Sequence, residues 1–473
     1  MATKRLILGE WIPDQPGLTG ALVEAKNVVP LMTGYGPFPS VKQFSASASE
    51  NLITCVAGKF GDTVQLFGAG PTKLFKFDTL DLSMDDVSKT GGYAGVMNWD
   101  FAQFGKVLIA ANGNNKLQSW TIGTSTAWAD LSASAPTASY VTVVRDFVVA
   151  ANNTSTPNRV WWSDINDETD WVSSTTSQSD FQDIPDGGNI QGITGGEFGL
   201  VLLEKAIYRM SYIGSPLFFQ FDAISRNMGC YEARSIVQQG GRTFFLSDDG
   251  FYVCDGQTIT PIGAEKIDRW FFDDVDEGKL DQMSAAVDPE RHLVAWCYPN
   301  VFARKTVLVY NWQTSRWSYG ITDADYIANV TTTGVSMEYL DIYTSLEGIP
   351  ASLDSRLWAG GKPLFAGVRD DQVVVFGGTP LGAEIVTGDT EEGLQSIAKL
   401  AYPQIDGGSG SVAVASRFRL DNGIVFGSDI PASSENRVSL RSVGRYHRFK
   451  IKPTGNWVSM IAVDLELQPV SGR

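Results

Sequence analysis

Seven aromatic side chains recur along this chain at a spacing that restricts its fold more than any other feature does. Each lies near the end of the second of two short apolar runs, and together they are Phe75, Trp120, Trp162, Tyr208, Tyr252, Tyr310 and Phe376. The first four intervals are 45, 42, 46 and 44 residues, and the last two are 58 and 66. A four-stranded propeller blade takes about 40–50 residues. The spacing therefore predicts an all-β fold, an irregular β-propeller of about six or seven blades with insertions near its end.

The apolar runs have the length and composition of antiparallel strands. In residues 242–262, three β-rich runs are separated by an Asp-Asp-Gly turn and an Asp-Gly turn, which predicts a three-stranded meander. The 48 glycines fit many tight turns, and a charged fraction of 19% excludes a disordered polyelectrolyte or a coiled coil. A series of β-sandwiches would also place short strands at regular spacing, and it is the alternative fold.

The composition changes at both ends of the predicted propeller. Residues 1–45 are rich in Pro and Gly and predict an extended N-terminal arm. Residues 46–392 are the predicted β-propeller, and residues 393–473 are predicted to form a β-rich C-terminal domain. One helix is predicted over residues 264–272, where Ile267, Trp270 and Phe271 share a face. We expect it to bridge two blades, with the acids that follow it in solvent.

The net charge of −16 is unevenly distributed along the chain. Residues 393–473 carry ten Lys or Arg and six Asp or Glu, a net charge of +4, so residues 1–392 carry −20. An acidic chain of this kind is not expected to coat nucleic acid through a basic surface. Six of the C-terminal cations cluster between two predicted strands: Arg437, Arg441, Arg445, Arg448, Lys450 and Lys452.

Part of this cluster falls on one face of a predicted strand, because side chains of a strand alternate between its two faces. Over residues 445–452, one face would carry Tyr446, Arg448, Lys450 and Lys452, and the other would carry His447, Phe449 and Ile451. The basic face predicts an interface with an acidic partner, either another subunit or phosphate. The alternative is a solvated edge strand that its charges protect from aggregation.

Motifs for catalysis are absent from the sequence. The two histidines, His292 and His447, lie far apart, and no HExxH, GxSxG or GxxxxGK[ST] motif occurs. We therefore predict no catalytic residues, no metal site, no bound cofactor and no enzymatic activity. The exception left open is a glycosidase, since two of the 53 acids would suffice for that chemistry.

Sequence features that direct proteins to membranes are also absent. The N-terminal apolar run of residues 6–8 is shorter than the roughly 7–15 residues of a secretory signal, and no stretch approaches the ~20 apolar residues of a membrane span. The four cysteines (Cys55, Cys230, Cys254 and Cys297) form no CxxC pair and are predicted to be buried and reduced. Synthesis in a reducing cytoplasm is the working assumption.

Several stretches resemble proteins of bacteriophage tails. Three stretches near the N-terminus resemble the N-terminal arm of phage head-to-tail proteins: residues 9–16 (GEWIPDQP), 25–30 (AKNVVP) and 34–40 (GYGPFPS). Residues 159–171 (RVWWSDINDETDW) resemble a blade edge of that group. Later stretches resemble the packaged-DNA stabilisation proteins of short-tailed phages. They are residues 265–267 (EKI), 292–299 (HLVAWCYP), 307–311 (VLVYN), Trp317 and 442–452 (SVGRYHRFKIK). The resemblance extends over nearly the whole chain, although each motif is short.

The resemblance implies a structural role in a virion. Such proteins form a hexameric hub, or nozzle, below the portal and its adaptor ring, where they continue the DNA channel. They retain packaged DNA, let double-stranded DNA pass on infection, and carry tail fibres, spikes or a needle. It also implies a chain that is made in the bacterial cytoplasm and ends in the phage tail.

The charge distribution agrees with a conduit for DNA, because each Lys–phosphate contact adds salt-dependent affinity and slows sliding. An acidic lumen repels the phosphates, and a basic C-terminal domain would dock against an acidic neighbour. The alternative function is a glycan- or receptor-binding propeller, which exposed aromatic side chains around an acid pair would favour.

Overall fold

The computed structural model describes residues 3–15, 20–332, 361 and 363–470. Strands dominate this part of the chain, beginning with five short ones near the N-terminus: β1 (Thr3–Ile7), β2 (Leu22–Lys26), β3 (Val28–Pro30), β4 (Tyr35–Pro37) and β5 (Pro39–Gln43). The predicted extended arm is thus a series of paired strands, and apart from the β3–β4 pair their partners lie far along the chain.

Five separate four-stranded antiparallel sheets follow in chain order. Blade 1 is β6 (Thr54–Phe60), β7 (Thr63–Ala69), β8 (Leu74–Phe77) and β9 (Met84–Asp86); blade 2 is β10 (Asp100–Phe104), β11 (Val107–Ala111), β12 (Gln118–Thr121) and β13 (Ala129–Asp130). Blade 3 is β14 (Tyr140–Val144), β15 (Phe147–Ala151), β16 (Arg159–Trp162) and β17 (Asp180–Asp183). Blade 4 is β18 (Ile190–Thr194), β19 (Gly199–Leu203), β20 (Ile207–Gly214) and β21 (Phe218–Ser225); blade 5 is β22 (Val237–Gln239), β23 (Arg242–Leu246), β24 (Phe251–Cys254) and β25 (Ile259–Pro261).

The ring is completed by a set of four bridging strands and a sixth blade. The bridging strands are β26 (Ser284–Asp288), β27 (Leu293–Pro299), β28 (Lys305–Asn311) and β29 (Arg316–Thr322), and they continue through β2 into a fourteen-stranded sheet. Blade 6 is β30 (Tyr326–Thr331), β31 (Pro363–Arg369), β32 (Gln372–Pro380) and the N-terminal strand β5. Since β30 packs against both β26 and β6, the ring closes. The predicted β-propeller of six or seven blades is confirmed, and the sandwich alternative is wrong.

The second strands of the blades show why this sequence folds into stacked sheets. All five residues of β11, β15 and β19 are buried, because each of these strands packs between two neighbouring blades. A strand buried on both faces reads as a continuous apolar run rather than an alternating one. Tight turns join first to second strands, with Gly61 and Gly105 at φ 59° and 55°, where glycine has no steric penalty.

The recurring aromatics occupy equivalent places in the ring. Each of the seven lies on the third strand of its set, from Phe75 on β8 to Phe376 on β32. The long interval before Tyr310 holds the connection from blade 5 to the bridging strands. The interval before Phe376 includes residues 333–360, which lie outside the described residues.

The predicted helix is present but begins later than the sequence indicated. Helix α1 spans Asp268–Asp274, and a 3-10 helix spans Glu277–Gln282; another 3-10 helix, Ala233–Ser235, precedes blade 5. Glu265 has φ 59°, which is incompatible with a right-handed helix, so α1 starts after it. Ile267 and Phe271 are buried as expected, and the helix lies between blade 5 and the bridging strands.

The C-terminal strands form the remainder of the large sheet. They are β33 (Glu384–Thr387), β34 (Thr390–Asp406), β35 (Ser409–Arg417), β36 (Ile430–Pro431), β37 (Val438–Thr454) and β38 (Ser459–Pro469). The strands pair in the order β36–β35–β37–β34–β38–β1, with β4 also on the outer side of β38. The predicted boundary between residues 392 and 393 therefore falls inside β34.

Candidate functional site

The predicted basic strand is in the interior of the C-terminal sheet. β37 pairs with β34 and β33 along one side, and with β35 along the other. The interpretation of this segment as a solvated edge strand is therefore wrong, because both of its backbone edges are hydrogen bonded.

The predicted alternation of its side chains is confirmed. His447, Phe449 and Ile451 are fully buried, whereas Arg448, Lys450 and Lys452 are only partly buried. The sheet packs its apolar face inward and leaves the cations on the other face, as a period of two residues requires.

Acids of the same chain pair with the most buried cations. Arg448 and Arg417 both donate from Nη2 to Oδ2 of Asp389, at 2.9 and 2.5 Å. All three side chains are largely buried, with 11%, 12% and 14% of their surface exposed. Because two guanidinium groups share one carboxylate, this triad holds an excess positive charge. The Nε atoms of both arginines are buried and have no hydrogen-bond partner among the described residues.

The two lysines of the face are also neutralised within the chain. Lys452 donates to Asp429 at 2.7 Å and lies 3.5 Å from Glu384, and Lys450 lies 3.5 Å from Asp429. The hydrogen bond from Lys452 lowers the pKa of Asp429, and the charges of both lysines act in the same direction. Asp429 is thereby held as a carboxylate between two cations.

The remaining three predicted residues are closer to solvent. Arg445 donates to Glu391 at 2.6 Å, and Arg437 lies 4.0 Å from Glu435. Arg441 is exposed with φ 53°, and within the described ranges no ion pair of its side chain is found. The structure thus separates the six predicted cations into three that pair with partly buried acids and three near the surface.

Sequence reasoning missed these acidic partners, several of which precede residue 393, where the predicted C-terminal domain begins. Glu384, Asp389, Glu391 and Glu392 precede residue 393 but belong to strands of the C-terminal sheet or to the turn between them. Counted from residue 384, the C-terminal part carries ten Lys or Arg and ten Asp or Glu. The whole net charge of −16 therefore lies in residues 1–383.

Cations of this face also fix a long loop between β35 and β36. Arg417 donates from Nη1 to the carbonyls of Leu420 and Asn422, at 2.6 and 3.0 Å. Lys450 lies over the ring of Phe426, 5.0 Å from its centroid. The loop is held at both ends, although nearly all of residues 418–429 are exposed.

Beneath the basic face, His447 is buried between two hydroxyl groups. Its Nε2 is 2.8 Å from Oγ of Ser396 and its Nδ1 is 2.7 Å from Oγ of Ser416. Burial lowers the pKa of His447, so the neutral ring is favoured. His447 thus connects its own strand β37 to β34 and β35, which is a structural role.

The propeller axis contains a polar cavity of about 370 Å³. The first strand of every set contributes to its wall, through Thr54, Asp100, Tyr140, Gln191, Val237, Ser284 and Asn329. Among the described residues of this wall, Asp100 is the single carboxyl group and Arg234 the single cation. The arrangement therefore lacks the two facing carboxyl groups that a glycosidase requires.

Two ionisable residues of this cavity wall, Arg234 and Asp100, form contacts between blades. Arg234, just before blade 5, donates to the carbonyl of Ile53 at 3.1 Å and lies 4.4 Å from the ring centroid of Tyr326. Asp100 accepts hydrogen bonds from the backbone N–H groups of Val141 and Phe101 at 2.8 and 3.0 Å. Burial raises the pKa of Asp100 to about 7 and lowers that of Arg234. Arg234 joins opposite parts of the ring, and Asp100 joins blades 2 and 3.

The cysteines and the acidic side chains of the described residues form no further site. All four cysteines are buried and unpaired. No group of three or more His, Cys, Asp or Glu side chains is placed to hold a metal ion in these ranges. Nor does any helix there have the length and apolar character to span a membrane.

No protein-family model matches the chain, and no curated protein sequence matches it. Solved structures match the chain, with low sequence identities and low TM-scores. A chain of the mitotic checkpoint complex has 10% identity and a TM-score of 0.41, covering 72% of this chain and 95% of its own. The Pan2 WD40 domain of Neurospora crassa has 8% identity and a TM-score of 0.37, covering 61% and 88%. BamB from Moraxella catarrhalis has 10% identity and a TM-score of 0.34, covering 73% and 94%.

Proposed function

We propose that this protein is a structural component of a bacteriophage tail. In this role, six copies form a hub or nozzle below the portal and adaptor ring, extend the DNA channel, retain packaged DNA and anchor fibres, spikes or a needle. The chain acts by assembly and carries out no catalysis. The motifs shared with the packaged-DNA stabilisation proteins suggest this function.

The observation that carries the proposal is the distribution of charge. Arg448, Lys450 and Lys452, which would attract DNA phosphates, are paired with acids of the same chain. Residues 1–383 hold the entire net charge of −16. Binding to a duplex requires several unpaired Lys or Arg side chains, because affinity rises with each phosphate neutralised. A surface of this kind suits a wall past which DNA slides.

The channel for DNA would be the axis of the assembly. The cavity inside one propeller is about 370 Å³, the size of a site for one small molecule. Arg234 reaches across it to Ile53. A duplex therefore does not pass through a single chain, and an opening wide enough for it requires several copies around a common axis.

The test is to image the purified protein by negative-stain electron microscopy, alone and mixed with a portal–adaptor complex. In the mixture we expect six-fold particles with an open axis below the portal. This expectation holds whether or not the protein alone already forms six-fold particles. Duplex DNA should bind weakly, and the binding should be lost between about 50 and 200 mM salt. Failure to associate with the portal complex, together with binding to a glycan array, would overturn the proposal in favour of a glycan-binding propeller.

A further inference from the structure

The loop between β35 and β36 displays apolar side chains to solvent. Residues 418–426 are here called the apolar loop, and four of their apolar side chains are exposed. The exposed fraction is 39% for Ile424 and 81% for Val425, with Phe418 and Leu420 between these values. A hairpin connection usually has two to five residues, whereas this one spans residues 418–429 and includes five large apolar side chains. Folding of the chain does not explain this composition, because these four side chains are not part of the core.

The loop is also held in shape before any partner binds. Arg417 is fixed by Asp389 and donates to two carbonyl groups of the loop, and Lys450 covers Phe426. An element ordered in advance loses less conformational entropy on association. The buried triad therefore supports an apolar contact element.

A second group of exposed apolar side chains lies at the opposite edge of the same sheet. This group, here called the apolar edge, comprises Ile7, Met32, Val458 and Ile461, with exposed fractions from 44% to 64%. Leu8, next to Ile7, donates its N–H to the carbonyl of Ile461 at 3.0 Å, and Tyr35, just after the turn that holds Met32, pairs with Met460. Val458 and Ile461 thus lie at the start of β38, Ile7 lies on the neighbouring strand β1, and Met32 lies in the turn before β4.

We propose that the apolar loop of one copy docks on the apolar edge of the next copy of this chain. The proposal rests on the proposed function, which requires several copies around an axis. Two different surfaces at opposite edges of one sheet form a head-to-tail junction. Where the rotation between neighbouring copies closes, as the six-fold hub of the proposed function requires, repeating this junction gives a ring in which every copy buries both surfaces. A self-complementary contact would instead use the same surface on both copies.

Area and charge are compatible with this junction. Four side chains exposed to this extent present on the order of 400 Å² of apolar surface on each side, comparable to the largest functional patch of a typical monomer. A standard interface buries about 800 Å² per partner, so the two groups supply its apolar centre. Within the loop, Arg419 pairs with Asp421, and next to the edge, Arg5 pairs with Asp464. These exposed charges are therefore paired within each surface.

The test uses the full-length protein and measures its oligomeric state by native mass spectrometry and sedimentation velocity over a wide concentration range. Val425→Asp alters the loop and Ile461→Asp alters the edge, with Met32→Asp as a second edge variant. Met97→Asp is the matched control, since Met97 is 77% exposed on the propeller, outside both surfaces. We expect wild type and the control to form rings, and each loop or edge variant to associate at least tenfold more weakly, with unchanged circular dichroism.

Mixing the variants tests the direction of the contact. The Ile461→Asp chain keeps its loop and the Val425→Asp chain keeps its edge, so an equimolar mixture should form heterodimers and nothing larger. Absence of heterodimers would overturn the junction. A wild-type protein that stays monomeric would also overturn the junction. The hub function is tested separately, by imaging with the portal complex. Rings that neither substitution weakens would show that a different surface assembles them.

Discussion

Arg448 donates a hydrogen bond to Asp389 at 2.9 Å, and the two residues belong to parts of the chain that the sequence placed in different domains. The same carboxylate oxygen accepts from Arg417, so a single acid compensates two largely buried guanidinium groups. The shared carboxylate connects the sheet to its apolar loop, because Arg417 also donates to two carbonyl groups of that loop.

Removing that carboxylate should strongly destabilise the C-terminal sheet. Asp389→Asn keeps the shape of the side chain but leaves two buried cations without a counter-ion, and we expect unfolding free energy to fall by about 2–4 kcal/mol. Urea unfolding followed by tryptophan fluorescence measures the change. Glu392→Gln is the control, because its ion pair with Lys4 is more than 40% exposed and should contribute below about 1 kcal/mol. Equal losses in both variants would contradict the role assigned to the triad.

Charge reversal separates structural cations from those available to a partner. Arg441 and Arg445 lie near the surface, so Arg441→Glu combined with Arg445→Glu should leave the fold intact and weaken binding to an acidic neighbour by about tenfold. Arg448→Glu places a second acid beside Asp389 and should prevent folding. Circular dichroism checks the fold, and sedimentation with the portal complex checks binding. A double variant that assembles like wild type would remove these two residues from the interface.

Asp100 should make the propeller less stable as the pH rises. Its folded pKa is about 7, whereas an unfolded aspartate titrates near 3.8, so the folded state holds the proton more tightly. The stabilisation is present below about pH 4 and is lost progressively up to about pH 7. Thermal unfolding at several pH values should show this decline in wild type and a flatter profile in Asp100→Asn. The exposed residue Asp62 supplies the control, since Asp62→Asn should keep the wild-type slope.

His447 should have the opposite dependence on pH. Its folded pKa is lowered, so on acidification the unfolded chain takes up a proton near pH 6.5 before the buried ring does. Stability of the C-terminal sheet should therefore fall below about pH 6.5. His447→Gln, which keeps polar atoms toward Ser396 and Ser416, should lose this decline even if its stability at pH 8 is lower. His292→Gln is the comparison, and an identical acid response in both variants would refute the assignment.

Asp14 caps helix α1 from the N-terminal segment. Its carboxylate accepts from the N–H groups of Arg269 and Trp270 at 3.0 and 2.9 Å. We expect Asp14→Ala to cost about 1 kcal/mol, as the loss of other helix caps does, and Asp14→Ser to recover part of it. Chemical unfolding measures both variants. Trp11 packs against Trp270 with centroids 4.7 Å apart, so near-ultraviolet circular dichroism should report loosening of this contact; an unchanged spectrum and midpoint would argue against the cap.

The propeller and one strand face were predictable because they depend on local periodicity. Blade length fixed the spacing of the aromatics from Phe75 to Phe376, and alternation fixed the faces of β37 around Phe449. The start of α1 was not predictable, since it depends on the backbone conformation of Glu265. A positive φ at a non-glycine residue leaves no clear mark on the sequence.

The acids of the candidate site were not predictable for a different reason. Asp389 is 28 residues from Arg417 and 59 from Arg448, and the pairing of β34 and β35 with β37 is what brings them together. Glu384 and Asp429 likewise reach Lys452 from separate strands or loops. Charge counted from residue 393 therefore gave a basic domain, whereas charge counted from residue 384, where β33 begins, sums to zero.

The strand β5 has a consequence for how the protein is made. Residues 39–43 leave the ribosome early, yet their partner strand ends at residue 380, so blade 6 stays incomplete until most of the chain has been translated. Blades 1–5 each pair within a short stretch and are able to form as they emerge. Strand β5 meanwhile lacks its partner strand, so its edge is exposed. Ring closure is thus a late event in synthesis, and truncated chains should be the species that aggregate.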